Sequence, residues 1–386
     1  MLLLLPLIYL SFVSLGLPDA ALGAAWPAMY GPLGAGLSWA GGVSMIIALG
    51  TIVSSLLSQR LNRALGTGRV TALSVALTAA SLLGFSASGS YWQLCLWAVP
   101  YGLGAGGVDA ALNNYVALHY ASRHMSWLHC MWGLGASLGP WIMGRVLTAG
   151  KVWNMGFFLL AVIQLVLAGI LFCSLPLWKK DEDGEQESGA VLSLGQVLAI
   201  PGAKQVMLAF FFYCAAEQIS GLWSGSFLVL HGGLSAQDGA QLAALLFLGV
   251  TLGRALSGFL TMKLSDRQMV LLGLSVAALG SAVLPAADGA VGYGAGLLLV
   301  GLGCAPIYPC IIHLTPQTFG REQAQAMIGV QMACAYTGTC LMPPLFGLLA
   351  EYVGVGLLPW ILLATLSGVG GMFVWMEKRA GKVQNI

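Results

Sequence analysis

Asp19 is the only formally charged side chain before Arg60, and it sits inside the first of a long series of apolar runs. A helix crosses the hydrocarbon core of a bilayer with about 20 predominantly apolar residues. Backbone in lipid must also satisfy its own hydrogen bonds, which restricts a spanning chain to helices or closed barrels. Helix-length runs recur twelve times, at 2–30, 36–57, 70–88, 91–119, 125–148, 152–177, 206–230, 238–262, 268–286, 289–314, 323–352 and 354–375. These are spans 1 to 12, and they predict an all-α integral membrane protein. Composition agrees: 58% of the 386 residues are apolar and 8% charged, against about 25% charged in soluble domains.

The apolar start resembles a secretory leader, but that reading wants a basic segment ahead of the apolar core, and no Lys or Arg precedes Arg60. A retained first span is expected. With both termini placed in the cytoplasm, thirteen of the sixteen basic residues fall on the inner side. Lys151 falls outside, Arg145 lies near the outer end of span 5, and Arg254 lies within span 8. This is the positive-inside bias of a multi-pass cell inner membrane protein. The net charge of +2 carries no basic patch, so nucleic acid is not an expected partner. Partners reduce to a small-molecule substrate and the lipid bilayer, and a functional monomer is expected.

The longest polar interval contains Asp181, Glu182, Asp183, Glu185 and Glu187, and separates six spans from six. The organisation read from it is a six-helix bundle over 1–178, a cytoplasmic linker over 179–204 and a second six-helix bundle over 205–386. Short matches repeat in the same order at an offset near two hundred. Leu73-Ser74-Val75-Ala76 returns as Leu274-Ser275-Val276-Ala277, and Gly102-Leu103-Gly104 as Gly301-Leu302-Gly303. Asp19 and Gly23 return as Glu217 and Gly221, Pro140 and Gly144 as Pro343 and Gly347. Together they predict a parallel duplication, the architecture in which substrate binds at mid-membrane between two bundles.

Ionisable side chains at that depth cost roughly 2.5–3.5 kcal/mol on insertion scales and mark ion, proton or substrate pathways. Asp19, Asp109 and Glu217 are the acids in question. Gly102, Gly106, Asp109 and Asn113 share a face of span 4 at helical spacing, with Asn114 beside it; close packing with amide bonds between helices is the bland alternative. In span 1, Asp19, Gly23, Trp26 and Tyr30 share a face suited to a sugar, whose C–H face stacks on rings while carboxylates bind its hydroxyls. Trp26 could equally belong to the interfacial aromatic belt. Span 7 adds Glu217, Gln218 and Trp223. His129, His313 and Gln331 are further candidates, each as readily a packing residue. Arg254 is expected to snorkel toward the inner water rather than to pair with Glu217.

Catalytic and metal chemistry find little support. His119, His124 and His129 are spaced by five and cannot share a helix face. No nucleophile elbow or Walker loop is present, and no Gly-x-Gly-x-x-Gly stands between a strand and a helix. The eight cysteines lie in apolar segments without metal-type spacing, and packing is their expected role. No cofactor is expected beyond a coupling ion, a proton or Na⁺.

Two motifs resemble the fucose–proton symporter branch of the major facilitator superfamily. They are Gly16-Leu17-Pro18-Asp19 through Trp26-Pro27 in span 1, and Gly102-Leu103-Gly104-Ala105-Gly106-Gly107-Val108-Asp109-Ala110-Ala111-Leu112-Asn113-Asn114-Tyr115 in span 4. The resemblance implies proton coupling at Asp19 and Asp109, with Asn113 as the amide one turn later. It departs from the superfamily pattern at 58–69, where the basic residues stand without the Asp, and from fucose-type carriers in having Asp rather than Glu in span 4. Span 5, with Gly135-Ala136-Ser137-Leu138-Gly139-Pro140 through Gly144, is similar to part of an antiporter motif. The function expected is proton-coupled uptake of a neutral hydrophilic solute such as a monosaccharide, by alternating access. Trp26, Asn113, Asn114, Glu217, Gln218, Trp223, His129, His313 and Gln331 are the expected solute contacts. An exporter of a metabolite or drug is the alternative, with a membrane enzyme or scaffold less favoured.

Overall fold

The computed structural model describes residues 4–120, 122–178 and 194–384. Most of the expected linker, 179–193, lies outside the described residues, as does the side chain of Asn114. In the first half the helices are α1 (Leu4–Asp19), α2 (Ala21–Met29), α3 (Trp39–Leu65), α4 (Thr67–Ala87), α5 (Tyr91–His119), α6 (Ser122–Thr148) and α7 (Trp153–Ser174). A short α8 (Leu194–Ala199) precedes α9 (Ala203–Leu230), α10 (Ala236–Leu260) and α11 (Asp266–Val283). The chain continues through α12 (Gly289–Cys304), α13 (Ile307–Phe319), α14 (Arg321–Tyr352) and α15 (Leu358–Gln384). Among the described residues, ten segments are long and apolar enough to cross a membrane. Helices α5 and α6, of 29 and 27 residues, stand outside those ten.

Two expected spans are divided. The first breaks at Ala20, between α1 and α2. Pro18 has no N–H to give the carbonyl of Ser14, and that carbonyl is served instead by the side-chain amide of Gln164 on α7. Ser14 returns a bond, its hydroxyl donating to Gln164 Oε1 at 2.8 Å. The tenth breaks between Cys304 and Ile307, where Pro306 removes another donor. The break at Ala20 also splits the face drawn through Asp19, Gly23, Trp26 and Tyr30, so those residues point to different neighbours.

Large apolar side chains cover the outside of the bundle, with Leu56, Leu96, Phe259 and Val291 each more than two-thirds exposed. Since lipid is as apolar as leucine, helices in a membrane associate through close packing rather than hydrophobic burial. The contact between α1 and α6 shows how. A Cβ on Gly16 would strike the carbonyl of Trp132, one on Gly135 that of Val13, and one on Gly139 that of Leu17. Cysteine packing is mixed: Cys214, Cys304, Cys310 and Cys340 are buried, whereas Cys173 is exposed, a correction to the expectation that all eight fill the core.

Contacts between the halves run through α2 with α9, α3 with α14, and α6 with α10. Gly41, near the start of α3, lies against the backbone of Pro344, and Gly23, near the start of α2, against that of Leu222. The Ser38 N–H donates to Glu351 at 2.9 Å, and Gln241 donates to Thr148 at 3.1 Å.

Replacing Gly135 by Val is expected to separate α1 from α6 and lower the melting temperature in detergent by several degrees. Gly169→Ala, with nothing within 4 Å of its Cβ, should hold or raise it, because Ala is about 1 kcal/mol the better helix former. Thermal unfolding followed by size-exclusion elution checks both.

Candidate functional site

The one-residue break at Ala20 leaves Asp19 at the end of α1. Its surface is exposed, and what it is exposed to is a cavity of about 170 Å³ between the two halves. Thr51, Tyr101, Gln218 and Thr339 give that cavity polar walls; Phe85, Trp132, Phe247 and Tyr336 give it rings. Glu217 lines it from the opposite half. The two repeat mates therefore face one space.

Both oxygens of Asp19 are occupied. The Tyr101 hydroxyl donates to Oδ1 at 2.9 Å, and the indole N–H of Trp132 donates to Oδ2 at 2.7 Å. Tyr101 is fixed by stacking on Phe85. Trp132 is fixed through α6, whose backbone touches α1 at Gly16. Behind the indole lies Arg254, its guanidinium carbon 5.3 Å from the ring centroid. Arg254 also donates to the carbonyl of His129 at 3.2 Å and stands 3.9 Å from Glu217, with both charged side chains less than one-fifth exposed. The expectation that Arg254 snorkels to water is corrected: its charge is held inside by a carboxylate, a carbonyl and a ring, contributed by α9 and α6.

Other expected site residues are placed elsewhere. Asp109 accepts a bond from Asn113 at 2.9 Å and is not among the residues lining the cavity. Trp26 is fully buried and spends its N–H on the carbonyl of Leu37 at 2.8 Å. Trp223 is likewise buried and donates to the carbonyl of Pro343 at 3.0 Å. Gln331 is buried against Thr315. His313 pairs with Asp266 at 2.6 Å with its own side chain 71% exposed. His129 contributes a carbonyl to Arg254 and packs its ring edge-on to Phe12. Trp26, Trp223, Gln331, His313 and His129 are not among the residues that line this cavity, whereas Gln218 and Glu217 are. Tyr101 and Trp132 went unrecognised in the sequence. The available signal was the spacing of Trp132, Gly135 and Gly139 along one helix face. Among the described residues no group of three or more metal-ligating side chains occurs.

A bundle of membrane-crossing helices folded around a central polar cavity, with acids contributed from both halves, is the build of a membrane transport protein. The sequence matches the Major Facilitator Superfamily over residues 8–323 and 206–385. The chain belongs to that family and is a transporter, not an enzyme. It is 23% identical over 395 residues to bypass of stop codon protein 6 of Saccharomyces cerevisiae, covering 92% of this chain and 79% of the yeast protein. Its fold is similar to a mutant form of the nucleoside transporter NupG (TM-score 0.74, 14% identity, 96% and 98% of the two chains covered). It is also similar to a bacterial homologue of the human lysosomal transporter Spinster in an inward-facing, occupied conformation (TM-score 0.67, 14% identity, 97% and 94% covered).

Removing one partner of a poorly solvated ion pair leaves the other charge uncompensated. Glu217→Ala and Arg254→Ala should each destabilise the protein, and the double variant should be less unstable than the sum by about 0.5–3 kcal/mol. Denaturation of the four proteins in one detergent checks this; strict additivity would mean that the pair contributes nothing.

Proposed function

We propose that this secondary transporter is a proton-coupled symporter of a neutral hydrophilic solute, a monosaccharide or a similarly hydroxyl-rich molecule, working by alternating access. The observation that carries the reading is that Asp19 and Glu217, from corresponding positions of the two halves, line one cavity with rings between them. Carboxylates and amides bind hydroxyls, and aromatic faces take the apolar side of a sugar ring or a base. The rings are those of Phe85, Trp132, Phe247 and Tyr336, with Gln218 and Thr339 as neutral polar groups. A nucleoside transporter of similar fold is in keeping with a solute of this class, as is the motif resemblance to fucose–proton symporters.

In this reading α5 and α6 are spans as well, which completes twelve crossings in two six-helix bundles, 1–178 and 205–386, with both termini in the cytoplasm. The packing pattern supports the duplication: α3 meets α5 at Gly102, and α10 meets α12 at Gly301, the repeat mate of Gly102. Asp19 and Asp109 hold the coupling proton. A bare carboxylate in a poorly hydrated site is costly, and a proton removes that charge before the bundle moves. A membrane potential then contributes about 2.3 kcal/mol per proton per 100 mV, which can concentrate a neutral solute.

Purified protein should be stabilised against heat by a member of a panel of monosaccharides, polyols and nucleosides, since a ligand at about 100 times its Kd adds roughly 2.7 kcal/mol. With that solute in proteoliposomes, Asp109→Asn is expected to abolish accumulation driven by a proton gradient while keeping counterflow. Unchanged accumulation in Asp109→Asn removes Asp109 from the coupling machinery. Accumulation that follows Na⁺ and ignores pH removes the proton.

A further inference from the structure

We propose that Trp132 is a positioning residue that makes the protonation state of Asp19 felt at Arg254, and through Arg254 at the contact between the two halves. The proposal rests on the reading of Asp19 as a site that gains and loses a proton. Its basis is an asymmetry in the two bonds that Asp19 accepts. The hydroxyl of Tyr101 can donate or accept, whereas an indole N–H can only donate. A proton arriving on Asp19 therefore settles on Oδ1, facing Tyr101, which turns from donor to acceptor. Trp132 has no such option.

Its bond to Oδ2 at 2.7 Å changes from one made to a carboxylate to one made to a neutral acid, and bonds to an ionised acceptor are roughly twice as strong. The indole is thus held firmly in one state of Asp19 and loosely in the other. Its ring is at the same time the platform on which Arg254 rests. Arg254 belongs to α10 in the second half; Trp132 and His129, which hold it, belong to α6 in the first. Loosening the indole loosens one of the two grips that α6 has on α10 through Arg254.

Glu217 then has the stronger claim on the guanidinium, and it lies in the same half as Arg254. Proton arrival at Asp19 in this way transfers Arg254 from a bond between halves to a bond within one half. Among the described residues, the charged and titratable groups around this centre include Tyr101 and Asp109 on α5, His129 and Cys130 on α6, Tyr213, Cys214 and Glu217 on α9, Arg254 on α10 and Tyr336 on α14. Trp132 is the side chain that touches both Asp19 and Arg254.

The test needs no solute. Ser44, which lines the cavity, is replaced by Cys, and its reaction with a small charged maleimide is followed at one fixed pH by mass spectrometry of the peptide holding residue 44. Added to Ser44→Cys, Asp19→Asn imitates the protonated acid, Trp132→Phe keeps a ring for Arg254 but deletes the N–H, and Arg254→Gln deletes the cation. Each should raise the labelling rate about fivefold, the difference between a charge-assisted and a neutral hydrogen bond. Asp19→Asn combined with Trp132→Phe should label no faster than either alone. If Asp19→Asn raises labelling while Trp132→Phe or Arg254→Gln does not, or if the combined variant is additive, the relay through Trp132 is overturned and the role of Asp19 stands. If Asp19→Asn leaves labelling unchanged, the reading of Asp19 itself fails. Each variant enters the comparison by monodisperse elution, and Arg254→Gln keeps the question answerable should Trp132→Phe misfold.

Discussion

Backbone touching backbone, with no side chain between, is the contact on which this molecule depends. Between α1 and α6 it is made at Gly16, Gly135 and Gly139. In lipid such contact replaces the hydrophobic burial that would join helices in water. It also determines the chemistry. Because Gly16 lies against the carbonyl of Trp132, the indole of that same residue is delivered to Asp19, three residues further along α1. One methyl group at Gly16 would move the donor and the acceptor apart together. The packing and the hydrogen bond are two results of one constraint.

The same economy shows at Pro18. Proline costs the helix a hydrogen bond, and the loss is made good from another helix by Gln164. That exchange fastens α1 to α7. The break at Ala20 follows within two residues, and Asp19 stands at the open end of α1 rather than along a continuous face. An acid there can be approached from the cavity while its two oxygens are held from α5 and α6.

Much of this is legible in the residues, and the part that is not has a common cause. Span positions follow from length and apolarity, which the bilayer imposes one helix at a time. Asp19 and Glu217 emerge as equivalent from an offset in sequence, and both line the cavity. Arg254 reads as snorkelling because its own helix offers no partner; the partners come from α6 and α9. Trp26 and Trp223 stand close in sequence to cavity residues, yet each indole N–H is used on a backbone carbonyl, at Leu37 and Pro343. Periodicity tells which side of a helix a residue occupies. It does not tell which neighbour stands there, and buried donors are claimed by the nearest free acceptor.

The contact between halves is built from two kinds of material. Near the starts of α2 and α3, glycines put backbone on backbone: Gly23 on Leu222, Gly41 on Pro344. Elsewhere side chains take part: Arg254 on His129 and Trp132, Thr251 against Gly133, Tyr336 beside Ser55. From Gln241 to Arg254 is thirteen residues of α10, about 20 Å of helix rise. A side chain can leave its partner by a rotamer change, in picoseconds to nanoseconds when it is free to move. Backbones in contact separate only when whole helices move, and packed interfaces of that kind have discrete arrangements rather than a continuum. The glycine-built contacts are therefore the stiffer part of this interface, and the side-chain contacts the part that can respond to a change of one charge.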